Sequence, residues 1–213
     1  MNPDNLIDQI NKACKKSISN DFRLIIKDNF HNVRRFVIEG KSIAINRFDI
    51  PQESVNVLKW FNDMWIYLEV KFKAEQKKIN KKVFIQENYS VSLSVYQGHD
   101  LDKQKYQLFR AEWDDFNHEE KHAQPHWHIT SNQALESSFI KYSETFEKQD
   151  YIELLKSEKQ KICEVRNLHF AMNGNWQNNL THIHRIESEK QLVDWILGLL
   201  SHIRTELELQ SIY

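Results

Sequence analysis

Residues 106–130 hold the densest group of side chains that could do chemistry. The segment reads YQLFRAEWDDFNHEEKHAQPHWHIT and contains four of the ten histidines and two of the six tryptophans. We interpret it as a strand, a polar loop and a second strand. Alternate residues of a strand face opposite sides, so Arg110, Glu112 and Asp114 share one face. The apolar residues between them face the other side.

The second strand alternates in the same way. His126 and His128 share one face, and Trp127 and Ile129 share the opposite one. If both apolar faces pack into one core, the polar faces of the two strands also coincide. The carboxylates of the first strand would then lie beside the imidazoles of the second.

Imidazole and carboxylate groups bind divalent transition metals and act as general acids and bases. The candidate catalytic residues are Arg110, Glu112, Asp114, His126 and His128. The candidate metal ligands are His122, His126, His128 and Asp114, with zinc or manganese as the ion. A second His-x-His pair, His182 and His184, would add ligands if the fold brought it near. A structural interpretation is the alternative: Arg110 pairs with a carboxylate on a sheet surface, and the histidines are hydrogen-bonding or interface groups.

The composition is typical of a globular protein. The 213 residues are 40% hydrophobic and 28% charged, and the formal net charge of −1 gives no overall attraction to nucleic acid or acidic membranes. No apolar run approaches the ~18 residues of a membrane span, and the N-terminus lacks a signal-peptide pattern. We therefore expect no membrane segment and a cytoplasmic location. Cys14 and Cys163 form neither a metal-binding motif nor a disulfide framework.

Glycine is scarce, with four residues in 213. Phosphate-binding loops need glycine at fixed offsets, because their backbone amides must approach the ligand closely. No GxGxxG, GxxxxGKS/T or GxSxG pattern occurs. The sequence therefore argues against a nucleotide-hydrolysing enzyme and against an α/β-hydrolase.

The hydrophobic pattern predicts one α+β domain over residues 1–213. It predicts a mostly antiparallel, twisted sheet packed against long amphipathic helices, with the C-terminal helix on the sheet. The predicted elements are an N-terminal helix at 1–20, a short antiparallel meander at 22–48 with a turn at Gly40-Lys41, a long aromatic helix at 50–80, a three-stranded meander at 83–130, a helix at 133–160, a strand at 161–172 followed by an Asn173-Gly174 turn, and a C-terminal helix at 188–210.

Capping signals mark the two terminal helices. Asn2 or Asp4 is expected to cap the first, and Pro3 suits its first turn. Ser188 with Gln191 fits a capping box at the start of the last helix.

The predicted helix at 50–80 has two features of a binding surface. Its apolar residues recur at spacings of three and four, and those expected at a protein interface are Phe61, Met64, Trp65, Leu68 and Phe72. It ends in a lysine-rich run, and the residues expected to contact nucleic acid are Lys71, Lys73, Lys77, Lys78, Lys81 and Lys82. A buried core helix with a solvated basic end is the alternative.

The strand, the histidine-containing loop and the Pro-His-x-His strand resemble small bacterial proteins of the TumE-like toxin–antitoxin group. The matching residues are Arg110, Trp113, Asp114, His122, Pro125, His126 and His128. The resemblance covers residues 110–128. It implies a bacterial defence or conflict setting and RNA-directed toxicity.

These features support three functional hypotheses. The first is a non-catalytic intracellular subunit of a bacterial defence or toxin–antitoxin assembly, which binds a protein partner or a second copy of itself. The second is a metal-dependent phosphodiesterase or nuclease that uses the His/Asp/Glu cluster at residues 110–128, with Arg110 stabilising phosphate charge. The third is a nucleic-acid-binding subunit that uses the lysine-rich helix end.

Overall fold

The computed structural model describes residues 2–30, 32–49, 51–79, 82–102, 105–114, 125–129 and 186–210. Several predicted features lie outside these residues. They are the helix at 133–160, the strand at 161–172, the Asn173-Gly174 turn, Cys163, Lys81, His122, His182 and His184.

The described residues form two helices and eight strands. In chain order they are α1 (Pro3–Ser17), β1 (Leu24–Phe30), β2 (Val33–Ile38), β3 (Ser42–Asn46), β4 (Glu53–Phe61), β5 (Met64–Ile79), β6 (Lys82–Gln97), β7 (Tyr106–Asp114), β8 (His126–Ile129) and α2 (Glu189–Gln210). An α+β fold with a mostly antiparallel sheet is therefore confirmed. The pairing of β6 with β7 and of β7 with β8 makes the three-stranded meander that the sequence predicts near residues 83–130.

Both terminal helices begin at the residues that the sequence indicates. The Asn2 side chain accepts a hydrogen bond from the Asp4 backbone N–H at 3.0 Å, and Pro3 occupies the first turn of α1. At α2, the Gln191 N–H donates to the Ser188 hydroxyl and the Ser188 N–H donates to the Gln191 side chain, each at 3.2 Å. This reciprocal pair is a capping box. It fixes where the C-terminal helix starts.

The predicted helix at 50–80 is wrong, and with it the prediction that long amphipathic helices cover the sheet. The segment is a β-hairpin of β4 and β5 that turns at Asn62 and Asp63, where Asn62 has φ of 47°. Asparagine tolerates this left-handed conformation better than most residues. Residues 64–68 are all buried, because β5 packs on both of its faces. A strand apolar on both faces has no period of two, so its spacing resembles a helical stripe.

The predicted meander at 22–48 is half correct. β1 and β2 pair antiparallel, but β3 pairs with β4 rather than with β2. Gly40 lies between β2 and β3 and does not form a hairpin turn. A Cβ added at Gly40 would lie 2.4 Å from the Val57 carbonyl carbon, so the chain crosses β4 in close backbone contact.

The long strand β5 joins two groups of strands. β4 and β2 pair with the first and second parts of one edge of β5, and β6 pairs along the whole other edge. The ring β3–β4–β5–β6–β7 is then closed by one bridge, in which the Lys105 N–H donates to the Ile43 carbonyl at 3.1 Å. The segment after β3 is thereby brought to β7, which positions the site described below.

The register separates a polar and an apolar face across β5, β6, β7 and β8. One row of the apolar face contains Leu68, Leu93, Ala111 and Trp127. The two rows of the polar face are Tyr67, Ser94, Arg110 and His128, then Glu69, Ser92, Glu112 and His126. Buried residues of α1 and α2 belong to the same core cluster as the apolar face. We call the opposite surface the polar face throughout.

A methyl group added at Gly40 and one added at Gly198 are expected to change the stability of the protein in opposite directions. Gly40→Ala is expected to destabilise the protein by about 1–3 kcal/mol, because the Val57 backbone leaves no room for Cβ. Gly198→Ala in α2 is expected to stabilise it by about 0.5–1 kcal/mol, because nothing lies within 4 Å of the new Cβ and alanine favours the helix. Denaturant midpoints measure both changes. Equal midpoints for the two variants would contradict the close crossing at Gly40.

Candidate metal centre

Three side chains on the polar face bring donor atoms together. His126 Nε2 and His128 Nε2 are 2.9 Å apart, and Glu112 Oε2 lies 3.3 Å from His128 Nε2 and 3.9 Å from His126 Nε2. Zinc bonds of about 2.0–2.2 Å at tetrahedral angles separate neighbouring donor atoms by about 3.3–3.6 Å. The three atoms are therefore spaced to bind one ion after small side-chain rotations. We call these residues the triad.

The strand register explains why the triad forms. β8 pairs with β7 so that His126 lies opposite Glu112 and His128 lies opposite Arg110. Side chains of directly opposed residues on one face are neighbours in an antiparallel pair. The predicted coincidence of the two polar faces is confirmed, and it follows from burial of Trp113 and the packing of Trp127 on the other side.

Arg110 holds the carboxylate of the triad in place. Its guanidinium contacts Glu112 Oε2 at 2.8 Å and Asp49 Oδ1 at 2.6 Å, and the Arg110 side chain is only 8% exposed. Two carboxylates thus neutralise the positive charge of Arg110, which the sequence predicts to stabilise a phosphate group. A buried arginine between two carboxylates orients its partners, as groups beside metal ligands commonly do.

Asp49 and Phe48 also belong to the site, although no sequence motif marks them. Asp49 is 61 positions from Arg110, and no local pattern connects them. Both residues follow β3, which the ring of strands brings to β7. The Phe48 ring lies 5.4 Å from the His128 imidazole and 5.6 Å from the Arg110 guanidinium carbon. Phe48 therefore packs beside both His128 and Arg110.

The electrostatics of Glu112 favour a bound cation. Burial raises the pKa of the Glu112 carboxyl above its usual range, and the positive charges of Arg110 and His126 oppose this shift. The nearby carboxylates of Asp114 and Asp49 raise the pKa further. A divalent ion would reverse this balance, because its charge offsets the cost of burying the carboxylate.

The other two metal ligands that the sequence predicts are not part of the triad. Asp114 lies on the polar face opposite Ser90 and is not one of the three grouped ligands, while His122 is outside the described residues. Cys14 is buried in α1, and burial raises the pKa of its thiol to about 12. A thiol in that state is not a nucleophile near neutral pH.

The residues predicted for a protein interface form the core instead. Met64, Trp65, Leu68 and Phe72 are buried in β5, and Phe61 is half-buried with the Arg204 guanidinium 5.1 Å from its ring centre. Their apolar surface is therefore used within this chain. The interpretation of the segment as a partner-facing helix is corrected accordingly.

The predicted nucleic-acid contacts lie on a hairpin rather than at the end of a helix. Lys71 and Lys73 in β5 contact Glu69 at 3.6 Å and Glu75 at 2.5 Å. The other described members of the run are exposed near the β5–β6 turn: Lys77, Lys78 and Lys82. The basic run thus divides into a paired part and an exposed tip.

The polar face carries a second ionic network, which no sequence motif indicates. The Arg35 guanidinium contacts Glu69 at 2.5 Å and Glu53 at 2.7 Å, and the Tyr67 hydroxyl donates to Glu69 at 2.9 Å. Burial raises the pKa of Tyr67 above its usual range, so the phenol remains a neutral donor. This network connects β2, β4 and β5 and is structural.

Arg110→Lys is expected to weaken metal binding about 10-fold or more, because a single ammonium group cannot contact Asp49 and Glu112 as the guanidinium does. Calorimetric titration with zinc measures the affinity. Arg34→Lys is the matched control, since Arg34 contacts Asp4 at 3.4 Å on the apolar side of the sheet. Equal affinities for both variants would show that Arg110 does not orient the ligand.

No family model, no curated protein and no solved structure matches this chain. The resemblance to TumE-like proteins therefore stays a prediction. Neither described helix has the combination of length and apolar character needed to span a membrane.

Proposed function

We propose that this protein is a metal-dependent hydrolase whose ion is held by Glu112, His126 and His128. One observation supports the proposal above all others: three donor atoms of the types that bind zinc lie within 3.9 Å of one another. Two imidazoles and one carboxylate are a ligand set of catalytic zinc sites, which leave a coordination position open. The same set also binds iron(II), so the identity of the metal is an outcome of the experiment.

Each residue around the ion has a distinct part. Glu112, His126 and His128 supply the ligands, and Arg110 with Asp49 fixes the direction of the Glu112 carboxylate. Phe48 packs beside the His128 imidazole and restricts the orientation of that ring. A divalent ion at this place supplies Lewis acidity, which activates water and polarises a phosphoryl or carbonyl oxygen. Phosphodiesters and amides are the bonds that such a site hydrolyses.

The experiment compares two carboxylate variants. Native, untagged protein is analysed by elemental mass spectrometry, and hydrolysis of bis(p-nitrophenyl) phosphate and of a peptide is measured with zinc, manganese or iron(II). Glu112→Gln is expected to lose most of the metal and the hydrolysis. Asp114→Asn, on the same face but outside the triad, is expected to retain both. Absence of metal binding and hydrolysis in the wild type overturns the proposal.

A non-catalytic interaction subunit is the second candidate, now on different residues. It is favoured by β1, which is an edge strand of the described sheet and exposes Ile26 at 55% and Phe30 at 71%. An exposed apolar edge strand can pair with a strand of another chain. Sedimentation of the wild type and of Ile26→Lys tests this candidate. A wild-type assembly that Ile26→Lys dissociates supports it, and a monomer that co-purifies with no partner contradicts it.

A further inference from the structure

The outer part of the β5–β6 hairpin is a two-stranded ribbon. β2 pairs with β5 only as far as Lys73, and β7 pairs with β6 only as far as Ser90. The β5–β6 ladder continues to the pair Ile79–Lys82. Residues 74–79 and 82–87, which pair with each other, therefore extend beyond the neighbouring strands of the described sheet. We call these residues the ribbon.

The ribbon carries exposed cations and exposed apolar side chains. Lys77, Lys78 and Lys82 are exposed, and Val83, Phe84 and Ile85 have exposed fractions of 61%, 50% and 70%. Its two acidic residues already have partners, since Glu75 contacts Lys73 at 2.5 Å and Glu87 accepts a hydrogen bond from the Tyr89 hydroxyl at 2.7 Å. The lysines near the turn therefore carry the net charge of the ribbon, which is positive.

One face of the ribbon continues the face that carries the triad. Lys77 pairs with Phe84. Each lies an even number of residues along its strand from the polar-face pair Glu69–Ser92, so both side chains lie on the same side of the hairpin as that pair. An exposed phenyl ring thus lies directly across from an exposed ammonium group. Lys77 is eight residues along β5 from Glu69, which corresponds to ~26 Å at about 3.3 Å per residue. Ser90 and Ser92 line this path with small polar side chains.

We infer that the ribbon binds single-stranded nucleic acid and guides it along the polar face to the triad. Proteins bind single strands by combining cations for the phosphates with aromatic rings on which bases stack. Lys77 and Lys82 supply the cations, and Phe84 supplies the aromatic ring. A duplex places its bases out of reach of Phe84, so an unpaired strand fits the ribbon better. This inference names the substrate class of the proposed hydrolase and rests on that function for its catalytic part.

The reaction expected at the triad is hydrolysis of a phosphodiester bond in the strand. The oxygen of water bonds to phosphorus, and the bond from phosphorus to one sugar oxygen breaks. The proton released by water ends on the departing sugar oxygen, so the products are a phosphate monoester and an alcohol. The reaction needs no oxidant or reductant.

The order of residues in the ribbon argues against insertion into a membrane. Lys82 lies nearest the turn of the described residues of β6, while Val83, Phe84 and Ile85 lie behind it. Insertion of the tip would bury the cations deepest, which is unfavourable. In a nucleic-acid complex both groups remain at a solvated surface. Anionic lipid vesicles nevertheless enter the test as the competing ligand.

The test separates binding from cleavage. Fluorescein-labelled RNA and DNA strands of about 12 nucleotides are titrated with metal-free protein, and binding is followed by fluorescence anisotropy at several salt concentrations. The ribbon variant Lys77→Gln/Lys82→Gln/Phe84→Ser is expected to bind at least 10-fold more weakly than the wild type. Its slope of log K against log salt is expected to fall by about 1.4, because two phosphate contacts are lost.

The control variant is Lys15→Gln/Lys16→Gln/Ile43→Ser, which removes the same charge and an exposed apolar group elsewhere. It is expected to bind like the wild type. Equal binding by the ribbon variant, or no binding by the wild type, overturns the inference. Vesicles of phosphatidylserine and phosphatidylcholine that bind the wild type but not the ribbon variant, without any oligonucleotide binding, would assign the ribbon to membranes.

Failure of the inference and failure of the proposed function have different signatures. If the protein binds metal and hydrolyses bis(p-nitrophenyl) phosphate but does not bind oligonucleotides, the ribbon assignment alone is wrong. If oligonucleotides bind through the ribbon but no metal binds and no strand is cut, the hydrolase proposal is wrong. The difference between the RNA and DNA titrations identifies the sugar that the protein prefers.

Discussion

Replacing His126 and His128 together by alanine is expected to lower the metal content from about one ion per chain to background and to abolish hydrolysis. The two imidazole nitrogens lie 2.9 Å apart and supply two of the three grouped ligands. Glu112 alone, held by Arg110, is a single monodentate ligand that competes poorly with water. The fold is expected to persist, because both imidazoles lie on the polar face, outside the apolar core.

Thermal unfolding provides an independent measurement of the same loss. A ligand that binds only the folded state stabilises it, by about 2.7 kcal/mol at a concentration 100 times its Kd. Added zinc is therefore expected to raise the Tm of the wild type and to leave the Tm of the double variant unchanged. His99→Ala/His202→Ala removes two imidazoles from other places and is expected to respond to zinc like the wild type. Metal content that is unchanged in the His126 and His128 variant would mean that these histidines are structural.

Phe109→Ala is expected to destabilise the protein by about 3–5 kcal/mol, the usual cost of deleting a buried phenyl ring. Phe109 is fully buried on the apolar face, between Val95 of β6 and Ile129 of β8. Its ring contacts the Trp127 indole edge to face, with centres 5.8 Å apart. The hydrogen-bonded strands β6 and β7 cannot collapse fully into the cavity.

The same substitution is expected to weaken metal binding, although Phe109 does not touch the triad. β8 has four residues and, among the described strands, pairs only with β7. Loss of the Phe109 contact with Trp127 therefore loosens the strand that carries both histidines. Denaturant unfolding and zinc titration measure the two effects. Phe84→Ala, at a residue 50% exposed, is the control and is expected to change stability by no more than about 0.5 kcal/mol. A Phe109 variant as stable as this control would contradict the assigned packing.

Local chemistry in the sequence accounts for the helix ends. Asn2 with Pro3, and Ser188 with Gln191, form caps that depend on side chains only a few positions from the backbone groups they bind. Such contacts are decided within one turn of helix, so residue type and spacing are sufficient to predict them. The apolar stripe of α2 is likewise recognisable, because that helix buries only one side.

Hydrophobic spacing does not identify a strand that is buried on both faces. β5 packs on both sides from Met64 to Leu68, so its hydrophobic residues do not alternate, and their spacing predicts a helix. The pairing of β3 with β4 rather than β2 occurs together with a close crossing at Gly40, which involves the backbone of Val57 in another strand. A contact between backbone segments that are far apart in the sequence does not alter the local hydrophobic pattern, so that pattern cannot predict it.

The candidate site also combines features that the sequence predicts with features that only the tertiary structure decides. The sequence by itself determined that Arg110, Glu112 and Asp114 share a face, and that His126 and His128 share another, because strand geometry alternates side chains. Burial of the apolar faces in one core then brings those two faces together. Only the tertiary structure selected Glu112 rather than Asp114 for the triad, since the register of β7 and β8 decides which carboxylate lies opposite His126. It also brought Asp49 to Arg110 across 61 positions, because ring closure between β3 and β7 is a property of the whole sheet.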